Sequence, residues 1–307
     1  MSNTRLARWA AFAGLVTALI GAQLTTVAMA SNASTADTAT GVQIYTGVSA
    51  TRLSEARKHA TAVCPDGKRV LGGGARVVRV LGGSTNGKVF VNSARPTSTL
   101  TSGGFVDRYH AAAVELAIGF GYADDWYLVA YAVCGDPMEG LRIVSRGSDE
   151  LSSTQPFVRK SQVSCPSGTK VIGTGGSISG GVNEGRVSLR QIRPNQQGAY
   201  VFVEGIAYPG YQTDFEVWAY AVCAKAPLGW HVAIDGNDFS FAQVQRTSVA
   251  CPSGEQALGA GFTKGDNQGL SNIEYFFPST SRVYLGGGAR LPPQPWNIAA
   301  WAVCVTR

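Results

Sequence analysis

The chain has 307 residues, with 26 Lys and Arg against 20 Asp and Glu for a formal charge of +6, and only 15% of its residues are charged. The basic residues are scattered, with no block of five or more, which argues against a nucleic-acid partner because such proteins concentrate a basic stripe. Low charge and 38 glycines give the profile of a turn-rich β protein whose surface is built from polar and small residues.

Residues 1–30 read as a secretory signal. Arg5 and Arg8 form a positive start, Trp9 to Ile20 an apolar stretch of twelve, and Ala28-Met29-Ala30 a small-x-small cleavage site. A helix that crosses about 30 Å of hydrocarbon needs roughly 20 apolar residues, so this stretch is too short for a membrane anchor. No later segment is apolar enough to span a bilayer, and the mature chain is expected to be soluble outside the cytoplasm, with no stable membrane span after cleavage. Cleavage removes Arg5 and Arg8 and no acid, which lowers the formal charge from +6 to +4. Residues 31–41 hold no large apolar side chain and are expected to be a disordered leader.

The rest of the chain repeats one pattern three times, with limits near residues 42–137, 138–227 and 228–307. Each unit begins with a strand: Val42 to Tyr45, Leu141 to Val144, and Trp230 to Ile234. Then comes Cys-Pro-x-Gly, at Cys64-Pro65-Asp66-Gly67, Cys165-Pro166-Ser167-Gly168 and Cys251-Pro252-Ser253-Gly254. The proline ends one strand and x-Gly supplies the turn into the next. Glycines two apart follow, at Gly72 and Gly74, Gly173 and Gly175, Gly259 and Gly261. Glycines so spaced share one face of a strand and mark the close approach of a neighbour, expected to be the closing strand of the same unit.

A polar hairpin succeeds them. In the first unit, Gly82 to Lys88 imitates the phosphate-binding Gly-x-x-x-x-Gly-Lys, but Val89 stands where Ser or Thr must reach a metal and a strand, Val89-Phe90-Val91, follows instead of a helix. It reads as a plain turn. After a shared proline (Pro96, Pro194, Pro278) and an alternating strand, each unit closes on Ala-[Tyr/Trp]-Ala-Val-Cys, ending at Cys134, Cys223 and Cys304. One face of these closing strands carries Trp126, Leu128, Ala130 and Ala132, or Phe215, Val217, Ala219 and Ala221, or Trp296, Ile298, Ala300 and Ala302. The other carries Tyr131 and Val133, Tyr220 and Val222, Trp301 and Val303, so both faces are expected to be covered.

Six cysteines permit fifteen pairings. The repeat selects Cys64–Cys134, Cys165–Cys223 and Cys251–Cys304, because any other scheme treats equivalent units unequally or chains them together. No 3.6-residue period stands out beyond the signal, so the fold is expected to be all-β. Three homologous disulfide-linked β repeats suggest a pseudo-threefold, β-prism-like assembly, with three tandem small β-sandwiches as the competing arrangement.

The Cys-Pro-x-Gly-x-x-Val-Leu-Gly-Gly-Gly and Ala-Tyr-Ala-Val-Cys words resemble a glycine-rich, two-cysteine β repeat of secreted actinobacterial proteins. The resemblance covers nearly the whole mature chain and implies no catalytic residues. A looser likeness to vitelline-membrane outer-layer proteins, threefold β-prisms, bears on architecture alone.

Chemistry is thinly signalled. Asp124, Asp125, Asp214, Glu216 and Glu204 could supply paired carboxylates for glycoside hydrolysis, and His110 lies near Asp107. Neither Gly-x-Ser-x-Gly nor His-Glu-x-x-His occurs. There is no Cys-x-x-Cys, and His59, His110 and His231 fall at unrelated places in the repeat, so neither metal nor cofactor is expected. Loop aromatics are the better candidates: Phe120 and Tyr122, Tyr208 and Tyr211, and Trp296 beside Pro292-Pro293. Rings on loop tips can stack on sugars or anchor protein contacts, or they can pack over the end of a sheet. His59, Lys160 and Arg246, each five positions before an opening cysteine, form a cationic patch if threefold symmetry joins them. These features favour a secreted, non-enzymatic binding or cell-envelope-associated protein with an extracellular glycan or protein as partner. An extracellular hydrolase and a protease inhibitor are the alternatives.

Overall fold

The glycine and proline punctuation sets the turns. In the computed structural model, which describes residues 38–307 apart from 118–120, 149–156, 181–183, 211–214, 267–269 and 291–293, each Cys-Pro-x-Gly word is a tight turn. Its glycine, Gly67, Gly168 or Gly254, takes a φ of 77°, 80° or 85°. That left-handed conformation costs a residue with a Cβ about 1–2 kcal/mol and glycine almost nothing. The signal segment 1–30 lies outside the described residues. Of the expected leader, residues 38–41 lie within them; Ala39 is buried, and its carbonyl accepts a hydrogen bond from Gln256 Nε2 at 3.0 Å.

Six strands arise from each unit. The first unit gives β1 (Gln43–Val48), β2 (Arg57–Val63), β3 (Arg69–Arg79), β4 (Val89–Thr101), β5 (Gly104–Glu115) and β6 (Trp126–Gly135). The second gives β7 (Arg142–Gly147), β8 (Val158–Ser164), β9 (Lys170–Ser179), β10 (Val187–Pro194), β11 (Tyr200–Ala207) and β12 (Glu216–Ala224). The third gives β13 (His231–Gly236), β14 (Val244–Ala250), β15 (Glu255–Gly265), β16 (Ser271–Pro278), β17 (Arg282–Ala289) and β18 (Asn297–Thr306). Among the described residues the helical content is a 3-10 turn at Glu184–Arg186.

Three six-stranded sheets result, and each draws three strands from each of two units. The first runs β1-β6-β3-β16-β17-β14, the second β2-β5-β4-β9-β12-β7, and the third β13-β18-β15-β10-β11-β8. Three tandem sandwiches are therefore excluded, since no unit keeps its six strands together. The joints between units are narrow: β3 meets β16 only through Tyr275↔Arg76 and Phe276↔Ala75, and β9 meets β4 only through Ser93↔Ser177 and Ala94↔Gly176. The third joint repeats this with Gln191↔Thr263 and Ile192↔Phe262.

Within a unit, β1 and β3 both run against β6, so the three long connections gather at one end of the strands and the tight turns at the other. The turn end is filled by Leu71, Ile172 and Leu258 with Val133, Val222 and Val305. A larger cluster occupies the middle, and Phe90, Leu116 and Tyr208 close the loop end. Each cluster draws on more than one unit, so the sheets surround one shared core.

The spaced glycines correct the sequence reading. Strand β3 does pair with the closing strand β6, but the crowding that demands glycine comes from the preceding unit around the axis. A Cβ on Gly72 would lie 2.1 Å from the Leu258 carbonyl oxygen, one on Gly173 2.1 Å from that of Leu71, and one on Gly259 2.7 Å from that of Ile172. The three strands thus meet in a ring around the pseudo-threefold axis. The closing strands also depart from expectation. Trp126, Leu128, Ala130 and Ala132 are fully buried, as are Val133 and Val222, but Tyr131, Tyr220 and Trp301 are only half-buried on the outer faces.

All six cysteines are paired as the repeat implies, with Cα–Cα distances of 5.7, 5.6 and 5.6 Å for Cys64–Cys134, Cys165–Cys223 and Cys251–Cys304. Three such bonds belong to an oxidising, extracellular-type environment.

Candidate binding site

The carboxylates suspected of catalysis lie apart, each held by the scaffold. Asp124 pairs with Arg79 Nη2 at 2.9 Å, and Asp125 Oδ1 accepts the Ser54 amide at 2.9 Å. Glu204 sits in the third sheet against Arg190 at 2.9 Å and Lys160 at 3.8 Å, while Glu216 in the second sheet accepts Ser179 Oγ at 3.3 Å. Asp214 lies outside the described residues. Asp107 is buried against Arg69 Nε and the Val70 amide, both at 2.8 Å, whereas His110 faces outward to Thr61 Oγ1 at 2.9 Å. His231, Glu255 and Cys304 gather within 4.8 Å, but the Cys304 sulfur is committed to its disulfide, which leaves a His231–Glu255 pair at 3.6 Å.

The loop aromatics are corrected by burial. Tyr122, Tyr208 and Trp296 are 8%, 2% and 1% exposed, and Phe120 and Tyr211 lie outside the described residues. Trp296 Nε1 donates to the Ala242 carbonyl at 2.7 Å, and the Tyr208 hydroxyl donates to Asn272 Oδ1 at 2.7 Å. Burial pushes the Tyr208 hydroxyl pKa up and that of Tyr122 to about 12. These rings lie beside strand ends, Tyr208 just after β11, Trp296 just before β18 and Tyr122 in the loop before β6, where they pack inward over the core. His59, Lys160 and Arg246 lie on β2, β8 and β14, the outermost strand of a different sheet in each case, so the fold distributes them over three faces.

An open groove of about 410 Å³ lies on the outer face of the first sheet, at the joint between the first and third units. Its floor follows a cross-strand row. Val129 pairs with Arg76, Arg76 with Tyr275, Tyr275 with Gly286, and Gly286 with Arg246. Because Gly286 has no side chain, the Tyr275 ring lies across it: a Cβ there would fall 2.3 Å from Cζ and 2.4 Å from the hydroxyl. The other side of that ring lines the groove. The equivalent cross-strand pairs elsewhere are Gln191↔Glu204 and Ser93↔Ala112, so the other two sheets lack both the ring and its glycine seat.

One step along the strands, Tyr131, Phe277 and Tyr284 stand in a stack with ring centres 4.7 and 5.4 Å apart. Phe277 is the middle ring, so the stack forms a wall beside Tyr275, whose ring centre lies 5.8 Å from that of Phe277 at a tilt of 49°. The Arg76 guanidinium lies over these rings, its carbon 5.9 Å from the Tyr275 ring centre and 5.6 Å from that of Phe277. Burial raises the Tyr275 hydroxyl pKa, opposed by the charges of Arg246 and Arg76. Both arginines are exposed, and neither forms an ion pair with an acid among the described residues.

The opposite rim is the Gly82–Lys88 hairpin, anchored by a carboxylate of the third unit. Glu274 Oε1 accepts Ser84 Oγ, Thr85 Oγ1 and the Gly87 amide, each at 2.8 Å. The resemblance of this loop to a phosphate cradle thus ends in a protein carboxylate, and β4 follows it directly. Sequence reasoning marked Arg246 but missed Arg76, Tyr275, Phe277 and Tyr284. A hairpin register turning at Thr280–Ser281, just after Pro278, would have set Tyr275 opposite Gly286 at the start of the Gly286-Gly287-Gly288 run.

No protein-family model matches the chain, and comparison with curated proteins finds no significant match. The site is therefore read from its own chemistry.

Proposed function

We propose that this chain is a secreted, non-enzymatic binding protein of the extracellular space or cell envelope, and that it holds a glycan on the outer face of its first sheet. The observation that carries this reading is the Tyr275 ring, seated across Gly286 and lining the groove, with Arg76 over it and Arg246 on its other side in the row. An aromatic face offers a sugar ring apolar contact, while neighbouring guanidinium groups supply donors to its oxygens. The apparent signal segment and the three disulfides support export.

Glycan and cell-wall arrays probed with the mature protein test the proposal. Binding to saccharides that is lost in Tyr275→Ala, with the melting temperature unchanged, is the expected result. Hydrolysis of any bound glycan, or array binding indifferent to Tyr275→Ala, overturns it.

A further inference from the structure

We infer that the sugar recognised in this groove carries a carboxylate, so that the ligand class is an acidic, uronate-containing glycan; this rests on the glycan-binding reading above. The groove combines an aromatic lining with two cations, Arg76 and Arg246, that form no ion pair with an acid among the described residues. Arg76 and Arg246 approach Tyr275 from opposite sides of the same row, from β3 and β14. The Arg76 guanidinium lies over the Tyr275 ring, 5.9 Å from its centre, so a pyranose packed against that ring brings a carboxylate attached directly to its own ring within reach of the guanidinium. The planar guanidinium fork matches a carboxylate with two parallel N–H···O bonds, a match that a neutral hydroxymethyl group does not make.

The groove's own acid does not compete for these cations. Glu274 is 4% exposed, and three donors of the Gly82–Lys88 hairpin fasten its Oε1. Asp124 is taken by Arg79 at 2.9 Å. An acidic peptide shares the charge but not the ring. Tyr275, with Phe277 and Tyr284 beside it in the lining, gives the groove a ring surface suited to a saccharide.

Calorimetric titration of the mature protein with size-matched oligogalacturonate, neutral galactan, sulfated galactan and oligoglutamate tests the inference. Oligogalacturonate is expected to bind at least about 10-fold more tightly than the neutral oligomer. That advantage should fall as salt rises and disappear in the Arg76→Gln, Arg246→Gln double variant, while weak binding to the neutral oligomer stays and depends on Tyr275. Equal affinity for the neutral oligomer, or tighter binding of the sulfated one, overturns the carboxylate assignment and leaves glycan binding standing. Binding of oligoglutamate alone, or of none of the four, overturns both readings.

Discussion

Gly173→Ala puts the ring of glycines about the axis to the test. The added methyl would lie 2.1 Å from the Leu71 carbonyl oxygen and 2.9 Å from the Gly72 Cα, both backbone atoms of a strand hydrogen-bonded to β6. Real Cβ atoms do not approach backbone oxygen so closely, so β3 or β9 must shift, and the two are locked at the centre of three sheets. Overpacking costs about 1–3 kcal/mol in well-packed cores and more where nothing can yield, which places this variant at or above about 3 kcal/mol. At roughly 2–4 °C per kcal/mol for a chain of this size, the melting temperature should fall by about 6–12 °C. Gly259→Ala, with its nearest contact at 2.7 Å, should cost less. Gly168→Ala, with nothing within 4 Å but a φ of 80°, should cost only the left-handed strain of about 1–2 kcal/mol. Circular dichroism melts of the three variants give the ranking. A Gly173→Ala protein that melts within 2 °C of the parent, or above Gly168→Ala, would refute the ring of crowded strands.

Three further outcomes are expected. Cys134→Ser should free Cys64 as a reactive thiol and cost about 4 kcal/mol for its 70-residue loop, with peptide mapping under non-reducing conditions recovering the other two bonds intact. His110 should titrate below its ordinary 6.5, because burial and then the charges of Arg95, Arg108 and His59 disfavour its protonated form. The unfolded state then takes up the proton first, so the stability contribution is full above pH 6.5 and declines as pH falls through the window below it; a slope in that range identical in His110→Gln would contradict this, and NMR titration reads the pKa directly. Glu274→Ala should strip the Gly82–Lys88 hairpin of a buried acceptor, lower stability by about 2–3 kcal/mol, and speed amide exchange at Gly87 ahead of the strands.

The parts of the fold that were legible in the sequence are those fixed inside a unit. Cysteine pairing, the Cys-Pro-x-Gly turns and the β3–β6 contact recur three times, so one local geometry explains all copies. The sharing of sheets was not legible, because the joints rest on two residue pairs each, such as Tyr275↔Arg76, some two hundred residues apart and without any pattern of their own. Trp296 shows a different failure. Its parity with Cys304 already placed it on the inward face of the closing strand, yet its position at a loop exit suggested a surface ring. The groove stayed hidden because its floor is defined by what Gly286 lacks, and absence of a side chain reads the same in a turn, a crossing or a ligand site.

Divided sheets also bear on how alike the three faces must be. A single repeat holds two half-sheets, each complementary to the half-sheet of another copy, and on its own could complete its pairing only as a cyclic trimer with three identical faces. Joining three copies in one chain releases that constraint. Position 286 can be glycine while its counterparts are Glu204 and Ala112, and Tyr275 can stand where the other faces carry Gln191 and Ser93. The covalent tandem keeps the assembly of a symmetric trimer while leaving each outer face free to differ in sequence from the other two.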